Sequence, residues 1–426
     1  MRKLLLIFIM GLLGFNITAQ TTYLHCGKLI DVENSKLLTE MTIVVENDKI
    51  KAVEKGYSDV PEGVKAIDLK SKTVMPGLFD MHVHLESETS KDGYIKRFTL
   101  NDADVAFQST VYAKKTLMAG FTSVRDLGGS GVNNSLRDAI NKGYVDGPTI
   151  YSAGKSIATT GGHADPTNGY KDDLMGNPGP AEGVVNSPEE ARKAVRQRYK
   201  NGADVIKITA TGGVLSMAKS GQNPQFFEDE LKAIVETAND YGMLTAAHAH
   251  GDEGMQRAIR AGIKTIEHGT LMSEETMELM KEYDAYYVPT ITAGKSVAEL
   301  AEIEGYYPEV VVPKAKAIGP KIQDTFGKAY KKGVNIAFGT DAGVFVHGNN
   351  GKEFGYMVEA GMKPMESIIS ATVTPAKLLK VYDKYGSISE GKIADIIAVS
   401  DDPTENIKTM ESVSFVMKKG EIYKNQ

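Results

Sequence analysis

The histidines of this chain are grouped rather than scattered along it. Two His-x-His pairs and one single histidine each close a short apolar segment, at His82 and His84, at His248 and His250, and at His268. Side chains two residues apart lie on one face of a β-strand, so both rings of a pair point the same way. Imidazole and carboxylate groups are ligands of zinc and related divalent cations, and Asp341 closes a further apolar segment. These residue types indicate a metal site.

Lys207 is the second unusual residue, because it lies inside the apolar segment 205–208. A lysine is almost never fully buried unless it is paired, and an unpaired ammonium in a dry interior is costly. A neutral lysine that has reacted with carbon dioxide becomes a carbamate, which can bridge two metal ions as a carboxylate does. A lone His-x-His pair is more often incidental, and we interpret His25 and His347 as structural. The joint placement of the other residues carries the prediction.

A repeated pattern in the middle of the chain predicts the elements that position these residues. An amphipathic helix ends in a glycine and a short apolar strand follows, at Gly120, Gly202, Gly242, Gly262 and Gly333. A glycine after a helix takes the left-handed conformation at no steric cost and turns the chain into the next strand. The predicted strands are 78–84, 122–127, 149–155, 204–209, 244–250, 265–268, 286–291 and 335–341.

Strands that alternate with helices predict a parallel sheet, and eight of them suit a closed (β/α)8 TIM barrel. The carboxyl ends of barrel strands meet at one mouth, where the histidines, Lys207 and Asp341 would come together. A doubly wound open sheet is the alternative, but no GxGxxG or GxxxxGK[ST] motif opens any of these helices.

The two ends of the chain are rich in short β-strands. Residues 41–45 and 49–53 flank a hairpin-like turn, and segments 394–399 and 413–418 near the carboxyl end look similar. We therefore predict an α/β protein with three parts. Residues 1–19 are a signal peptide, 20–76 and 382–426 form a small composite β-sandwich domain, and 77–381 form the TIM barrel of a metal-dependent hydrolase.

The amino terminus and the composition narrow the possible cellular locations and partners of the protein. Arg2-Lys3, an apolar run of about twelve residues and a small residue at Ala19 are typical of a secretory signal peptide cleaved after Ala19. The run is shorter than the roughly 18–20 residues of a membrane span. We expect a periplasmic or secreted protein without a stable membrane span after cleavage. A net charge of −6 without a basic block argues against a nucleic-acid partner. The single cysteine, Cys26, excludes an intramolecular disulfide and a thiolate-rich metal cluster.

The sequence resembles the amidohydrolase superfamily across nearly all of the chain after the signal peptide. Four segments carry this resemblance, namely Met75, 76–84, 339–341 and 391–395. Within the superfamily the chain is most similar to the imidazolonepropionase-like and prolidase-like branch, through 160–163, 206–214, 247–251 and 266–269.

The resemblance implies a binuclear centre of two divalent metal ions, usually Zn²⁺, in an enzyme that cleaves dipeptides or N-acyl amino acids. By position, it assigns the first ion to His82, His84 and Asp341 and the second to His248 and His268. N6-carboxylysine at Lys207 would bridge them. Manganese, cobalt and iron accept the same ligands. His163, on the loop after the third strand, matches a residue that contacts the scissile carbonyl in related dipeptidases.

The chemistry of such a centre is hydrolysis of an amide. Two cations can share a bridging water and lower its pKa toward neutrality, and the resulting hydroxide attacks the polarised carbonyl. Asp341 can take the proton and pass it to the leaving nitrogen. His163 and His250 are the predicted substrate-binding residues. His250, Lys219 and Arg125 stay open as the group that holds a substrate carboxylate, and Glu267 or Thr340 as the partner that orients a histidine.

Two other functions compete with an exported dipeptidase or N-acyl amino acid hydrolase. A hydrolase of a cyclic amide or lactone, similar to imidazolonepropionase, would not need Lys207 or export. A non-catalytic periplasmic binding protein on the same barrel would not need every expected ligand type, yet all are present. Fold cannot choose among peptidases, lactonases and hydantoin-type hydrolases. The substrate is a small molecule or a dipeptide, and self-association into a homo-oligomer stays open.

Overall fold

The computed structural model of the protein describes residues 20–426, so the predicted signal peptide lies outside the described residues. Within this range the strands run in the order β1 (Thr21–Asp31), β2 (Lys36–Glu46), β3 (Lys49–Lys55), β4 (Lys65–Pro76), β5 (Leu78–Val83), β6 (Phe121–Asp126), β7 (Thr149–Ser152), β8 (Val205–Thr209), β9 (Leu244–Ala249), β10 (Thr265–His268), β11 (Tyr286–Val288), β12 (Asn335–Ile336), β13 (Ile396–Val399), β14 (Phe415–Lys418) and β15 (Glu421–Asn425).

Strands from the two chain ends share one mixed sheet. Its order is β15-β14-β13-β4-β1-β2-β3, with β1 and β4 parallel and the other neighbours antiparallel. The predicted hairpin is confirmed as β2 and β3, and an apolar core of its own, including Leu24, Ile43 and Ile396, lies under this sheet. Division into the two layers of a sandwich stays a prediction, as do the domain boundaries, because the strands form one continuous hydrogen-bonded sheet.

The middle of the chain forms two parallel sheets. One has the order β12-β11-β10-β9-β8 and the other β5-β6-β7. Isolated parallel bridges join them on both sides, between Val83 and Ala342 and between Ile157 and Ile208. The chain is therefore an α/β protein with parallel sheets in its middle, and carboxyl ends of neighbouring strands lie at a common edge.

Helices alternate with these strands. They are α1 (Gly93–Thr99), α2 (Asp102–Met118), α3 (Val132–Asn141), α4 (Asp172–Met175), α5 (Pro188–Lys200), α6 (Glu228–Asp240), α7 (Asp252–Arg260), α8 (Glu274–Glu282), α9 (Ile291–Leu300), α10 (Val312–Ile318), α11 (Ile322–Lys331), α12 (Lys352–Glu359), α13 (Pro364–Ser370) and α14 (Val373–Leu378), with 3₁₀ turns at Gly319–Lys321 and Ile407–Glu411. All five glycines of the predicted helix-to-strand pattern have positive φ, from 67° to 98°, which confirms that pattern. In the part of the chain that the structure describes, no helix combines the length and apolarity that a membrane crossing requires.

The eighth predicted strand is shorter than expected. β12 ends at Ile336, and residues 337–341 continue as irregular chain beside β5. Gly339 makes this close approach feasible, because a Cβ there would lie 2.3 Å from the Val288 side chain and 3.1 Å from the His82 nitrogen. The backbone N–H of Asp341 then donates to the carbonyl of His82 at 2.7 Å. The segment that carries Asp341 is thus tied directly to the strand that carries His82.

Candidate metal centre and active site

The ends of the parallel strands surround one cavity of about 810 Å³ that opens to solvent. All eight predicted site residues line it, although they come from elements between β5 and the segment after β12. The structure therefore brings together every residue that the sequence predicted as a metal ligand or a substrate contact, whereas Lys219 and Arg125, which were left open for a substrate carboxylate, do not line the cavity. One side of the cavity, which we call the histidine wall, consists of His82, His84, Lys207, His248, His268 and Asp341.

The tightest group on the histidine wall joins β5 to Asp341. The Nε2 atoms of His82 and His84 lie 3.3 Å apart, and Asp341 Oδ1 is 3.5 Å from the first and 3.3 Å from the second. One ligand atom each from His82, His268 and Asp341 also lie within 4.8 Å of one another. The group of His82, His268 and Asp341 is therefore a possible metal site.

The other ring nitrogens show why this group suits a cation. His82 Nδ1 is 3.0 Å from Glu267 Oε2, and His84 Nδ1 is 2.7 Å from the carbonyl oxygen of Gly128. Both partners accept hydrogen bonds, so each Nδ1 donates, and in the neutral rings the Nε2 atoms carry lone pairs. These lone pairs converge on Asp341 Oδ1, a buried atom without a hydrogen-bond donor in the described chain. Three electron-rich atoms this close together match the donor set of a divalent cation.

The remaining members of the wall lie next to this group. Lys207 Nζ is 3.4 Å from His82 Nε2, and the rings of His248 and His268 have centroids 4.6 Å apart. His268 Nδ1 contacts Thr290 Oγ1 at 2.7 Å, and His248 Nε2 lies 3.2 Å from the carbonyl oxygen of Gly212. The other ring nitrogens, His248 Nδ1 and His268 Nε2, make neither of these contacts. They would be the atoms that bind a second ion.

Burial sets the protonation of these groups. It lowers the pKa of His82, His248 and His268 well below the ordinary histidine value, so these rings are neutral, the form that binds metals. Burial also lowers the pKa of Lys207 to about 8. Burial alone would raise the pKa of Asp341, but His82, His84 and Lys207 beside it outweigh burial and lower that pKa, which keeps the carboxylate ionised. His84 differs from the other rings, because burial alone would lower its pKa, but the hydrogen bond and the charge of Asp341 outweigh burial and raise that pKa.

A buried ion pair stands behind His82. Arg125 Nη2 donates to Glu267 Oε1 at 2.8 Å, and its Nε and Nη1 donate to the carbonyl of Met81 and to Thr265 Oγ1. Arg125 is fully buried and does not line the cavity, so the open assignment of Arg125 to a substrate carboxylate is wrong. Its guanidinium instead pairs with Glu267, whose other carboxylate oxygen lies beside His82 Nδ1 and orients that ring.

A second buried carboxylate holds the segment of Asp341. Asp80 accepts hydrogen bonds from the backbone N–H groups of His82 and Thr340, from Thr340 Oγ1 and from Asn350 Nδ2. Thr340 therefore supports Asp341 through Asp80 and does not itself contact a histidine. Sequence reasoning missed Asp80 and Asn350, although Asp80 stands two residues before His82, inside the 76–84 motif.

The two predicted substrate-contact residues differ in their surroundings. His163 stacks on His248 with ring centroids 4.3 Å apart, and its buried Nδ1 has no hydrogen-bond partner in residues 20–426. His250 Nδ1 contacts Thr270 Oγ1 at 2.9 Å. Burial lowers the pKa of both rings to about 3. The neutral His163 lines the cavity, whereas Lys219 is exposed and is not among the residues that line the cavity.

The loop after β8 shapes the position of His163. A Cβ on Gly213 would lie 2.2–2.4 Å from three atoms of the His163 ring, so only glycine leaves room for it. Lys314, in α10, donates from Nζ to the carbonyl oxygens of Gly213, Ser216 and Ala218 at 3.1, 2.6 and 2.7 Å. A buried cation thus ties this loop to α10. Lys314 lies in a helix far along the chain, and nothing in the sequence pattern connected it with the loop.

Three residues at strand ends adopt the left-handed backbone region. His268, Thr290 and Asp341 have φ values of 70°, 55° and 62°. Side chains of these types rarely adopt positive φ, and each such residue costs about 1–3 kcal/mol unless its surroundings enforce it. Thr290 contacts His268 and Asp341 is held by the Asp80 network, so the surroundings enforce this strain where the histidine wall is built.

Comparison with known proteins places this arrangement in a family. Residues 73–423 match the model of the amidohydrolase family. A solved structure of a Xaa-Pro dipeptidase with bound methionine in its active site is 53% identical, with a TM-score of 0.93 over 95% of this chain and 100% of that one.

Two characterised relatives are more distant. Ochratoxinase of Aspergillus niger is 33% identical over 95% of this chain and 87% of its own length. Imidazolonepropionase of Fusobacterium nucleatum is 26% identical over 90% of both chains. These relatives are hydrolases, and amidohydrolases generally depend on metal. The chain therefore belongs to the amidohydrolase family and is an enzyme, a hydrolase that acts on carbon–nitrogen bonds.

Proposed function

We propose that this enzyme cleaves the amide bond of a dipeptide or an N-acyl amino acid, with Xaa-Pro dipeptides as the leading substrates. The observation that carries the proposal is the convergence of His82 Nε2, His84 Nε2 and Asp341 Oδ1 beside Lys207 in an open cavity. Similarity to a Xaa-Pro dipeptidase over nearly the whole chain supports the choice of substrate.

The proposed cofactors are two divalent cations, with zinc as the leading metal. His82, His84 and Asp341 would hold one, His248 and His268 the other, and Lys207 as N6-carboxylysine would bridge them. When bound, such cations supply Lewis acidity toward the amide carbonyl and lower the pKa of water. The neutral rings and the ionised Asp341 are in the protonation states that this role requires.

The chain's own residues supply positioning and proton transfer. Asp341 Oδ1, which lacks a donor, is placed to accept a proton from the attacking water and to deliver it to the leaving nitrogen. An amine leaves poorly until it is protonated, so this transfer is essential for an amide. His163 lines the cavity, its buried Nδ1 has no hydrogen-bond partner in the described residues, and it is proposed to contact the scissile carbonyl.

Three further expectations are part of this proposal. The bridges from Val83 to Ala342 and from Ile157 to Ile208 support closure of the two parallel sheets into one (β/α)8 barrel. The composition of residues 1–19 supports export to the periplasm or the medium. Assembly into a homo-oligomer is testable by light scattering of the purified protein.

The decisive experiment uses residues 20–426, loaded with zinc in bicarbonate buffer, and a panel of Xaa-Pro, other dipeptides and N-acetyl amino acids. We expect release of free amino acid from a related subset and two metal ions per chain by elemental analysis. Lys207→Ala should lose most activity and part of the metal. Lys264→Ala, which changes a partly exposed lysine just before β10, is the matched control and should behave as wild type. Two metals and full activity in Lys207→Ala would rule out the binuclear arrangement.

A cyclic amide or lactone is the second candidate substrate. One observation favours it: in the part of the chain that the structure describes, Lys207 is the only lysine that lines the cavity, and no arginine does. A dipeptide has a free carboxylate that would gain from a cation there, whereas a cyclic amide has none. This candidate would be selected if the enzyme, with two metals bound, hydrolysed none of the dipeptides in the panel but did hydrolyse hydantoins or lactones.

A further inference from the structure

A second set of residues that line the cavity differs in composition from the histidine wall. We call it the apolar wall, and it consists of Val214, Leu215, Ala293, Val297, Ile318 and Ile322. None of these residues can bind a metal or move a proton. Four of them come from one segment, the helices α9 to α11 that follow β11, and the other two from the loop after β8.

Helical spacing presents these side chains to the cavity as two faces. Ala293, Gly294 and Val297 lie on one face of α9, and Ile318, Gly319 and Ile322 lie on one face where α10 passes through a 3₁₀ turn into α11. The faces touch at the two glycines, since a Cβ on Gly319 would lie 2.5 Å from the carbonyl oxygen of Gly294. This close packing fixes both helices, so the apolar wall is preformed.

The wall is the inner surface of a small apolar core. Val214, Val297 and Ile318 are buried with Val311 and Ala315 in one cluster, against which Leu215 and Val344 also pack. Such a surface gains about 25 cal/mol for each Å² of apolar substrate area that it removes from water. A bulky hydrocarbon or thioether side chain would therefore bind here more tightly than a small one.

The scarcity of charged residues around the cavity also favours an apolar substrate side chain. Among the lining residues in the described range 20–426, Asp341 is the only carboxylate and Lys207 the only lysine, and both belong to the histidine wall. A charged substrate side chain placed against the apolar wall would lose its hydration without gaining a counter-ion, which is costly. The apolar wall thus disfavours acidic and basic substrate side chains and favours large apolar ones.

We infer that the apolar wall is the side-chain specificity site of this enzyme, and that its substrates carry a large, uncharged, apolar side chain next to the scissile amide. The inference rests on the proposed function and narrows its substrate class. Ala293 and Val297 are the residues that set the depth of this site, because they are the side chains on the cavity face of α9.

The first test measures kcat/KM of the zinc-loaded enzyme in two dipeptide series, Xaa-Pro and Ala-Xaa, in which Xaa is Met, Leu, Phe, Gly, Lys or Asp. In one series we expect Met, Leu and Phe to exceed Gly at least 10-fold and to exceed Lys and Asp at least 100-fold. Equal values, or a preference for Lys or Asp in both series, would overturn the inference and leave the dipeptidase proposal intact.

A binding measurement keeps the inference testable if no dipeptide is cleaved. Titration calorimetry of the zinc-loaded protein would compare L-methionine and L-leucine with glycine, L-lysine and L-aspartate. At least 10-fold tighter binding of the apolar amino acids supports the specificity site even when the dipeptidase proposal has failed. Equal affinities, or no binding of the apolar amino acids, count against it.

The second test changes the depth of the site. Ala293→Leu fills the cavity from α9 and should lower kcat/KM for Met, Leu and Phe substrates at least 10-fold, while the Gly substrate changes less than 2-fold. Glu299→Leu adds the same side chain on the exposed side of the same helix and should change neither. An equal loss for all substrates in Ala293→Leu, with an unchanged melting temperature, would show that this wall does not contact the side chain.

Discussion

The two walls of the cavity are built in different ways. Residues of the histidine wall lie on strands of the parallel sheets, directly after them, or on the irregular chain after β12. Buried partners such as Glu267, Thr290 and Asp80 hold them in place. The apolar wall comes from helices and a loop beyond the strands, and apolar packing holds it. The residues proposed to carry out the reaction are thus attached to the sheets that form the scaffold. The residues proposed to select the substrate lie in helices and a loop, which can change without altering the metal ligands.

The strongest way to break this comparison is Asp341→Asn. Asparagine is nearly the same size and tolerates the left-handed backbone of position 341, so the fold should persist. It cannot carry the negative charge or accept the proton, and we expect kcat to fall about 10⁴-fold. Steady-state kinetics measure this loss, and the melting temperature serves as the control. Activity within 10-fold of wild type would remove Asp341 from the proton-transfer role.

Arg125→Met tests whether the histidine wall depends on its buried support. The substitution leaves Glu267 without its cation in the interior, and we expect the free energy of unfolding to fall by about 3–5 kcal/mol. Metal affinity should fall as well, because Glu267 no longer holds His82 in place. Urea denaturation measures the first effect. Arg192→Met, at an exposed pair, should cost at most about 1 kcal/mol.

Lys314→Met tests the boundary between the two walls. Three carbonyl groups of the loop after β8 lose their donor, and we expect a loss of about 1–3 kcal/mol at pH 7. Burial lowers the pKa of Lys314 from 10.5 to about 8. Between these values the unfolded chain binds the proton and the folded chain does not, so the wild type gains stability as pH rises. Denaturation at pH 7.5, 9 and 10 should show the gap to Lys314→Met widening, and a constant gap would mean that the lysine stays charged.

The smallest effect is expected on the apolar wall itself. Val297→Ala removes two methyl groups that line the cavity, and a loss of about 1 kcal/mol of contact should raise KM for a bulky apolar substrate about 5-fold. kcat should stay unchanged, because the contact is the same in the ground and transition states. Kinetics with one apolar and one glycine-containing substrate measure this. A change in kcat with constant KM would place Val297 nearer the reacting atoms than the apolar wall implies.

The sequence predicted the two walls unequally. His82, His84 and Lys207 could be found because strand ends have a period and a direction, and polar groups stand out in apolar segments. The glycines after helices marked the order of the elements for the same local reason. Asp80 and Asn350 were missed because their bond links residues 270 positions apart. Arg125 was left open as a substrate-binding group because a buried ion pair and a substrate-binding cation look identical in sequence.

The shape of the apolar wall could not be predicted, although segments 215–227 and 293–313 were expected to govern side-chain preference. Val297 and Ile318 read as ordinary core residues of amphipathic helices, and only packing in three dimensions turns one of their faces toward the cavity. The irregular end of β12 was likewise unpredictable, since residues 337–341 leave the sheet to follow β5.

The left-handed backbone at His268, Thr290 and Asp341 has a consequence for how this enzyme can change over generations. Glycine or asparagine at these positions would relieve backbone strain, so the mutations most favourable to folding there are the ones that dismantle the site. A lineage released from selection for hydrolysis should gain thermal stability as it loses these three side chains. Laboratory selection for heat resistance alone should likewise yield variants that are more thermally stable and have lost hydrolase activity.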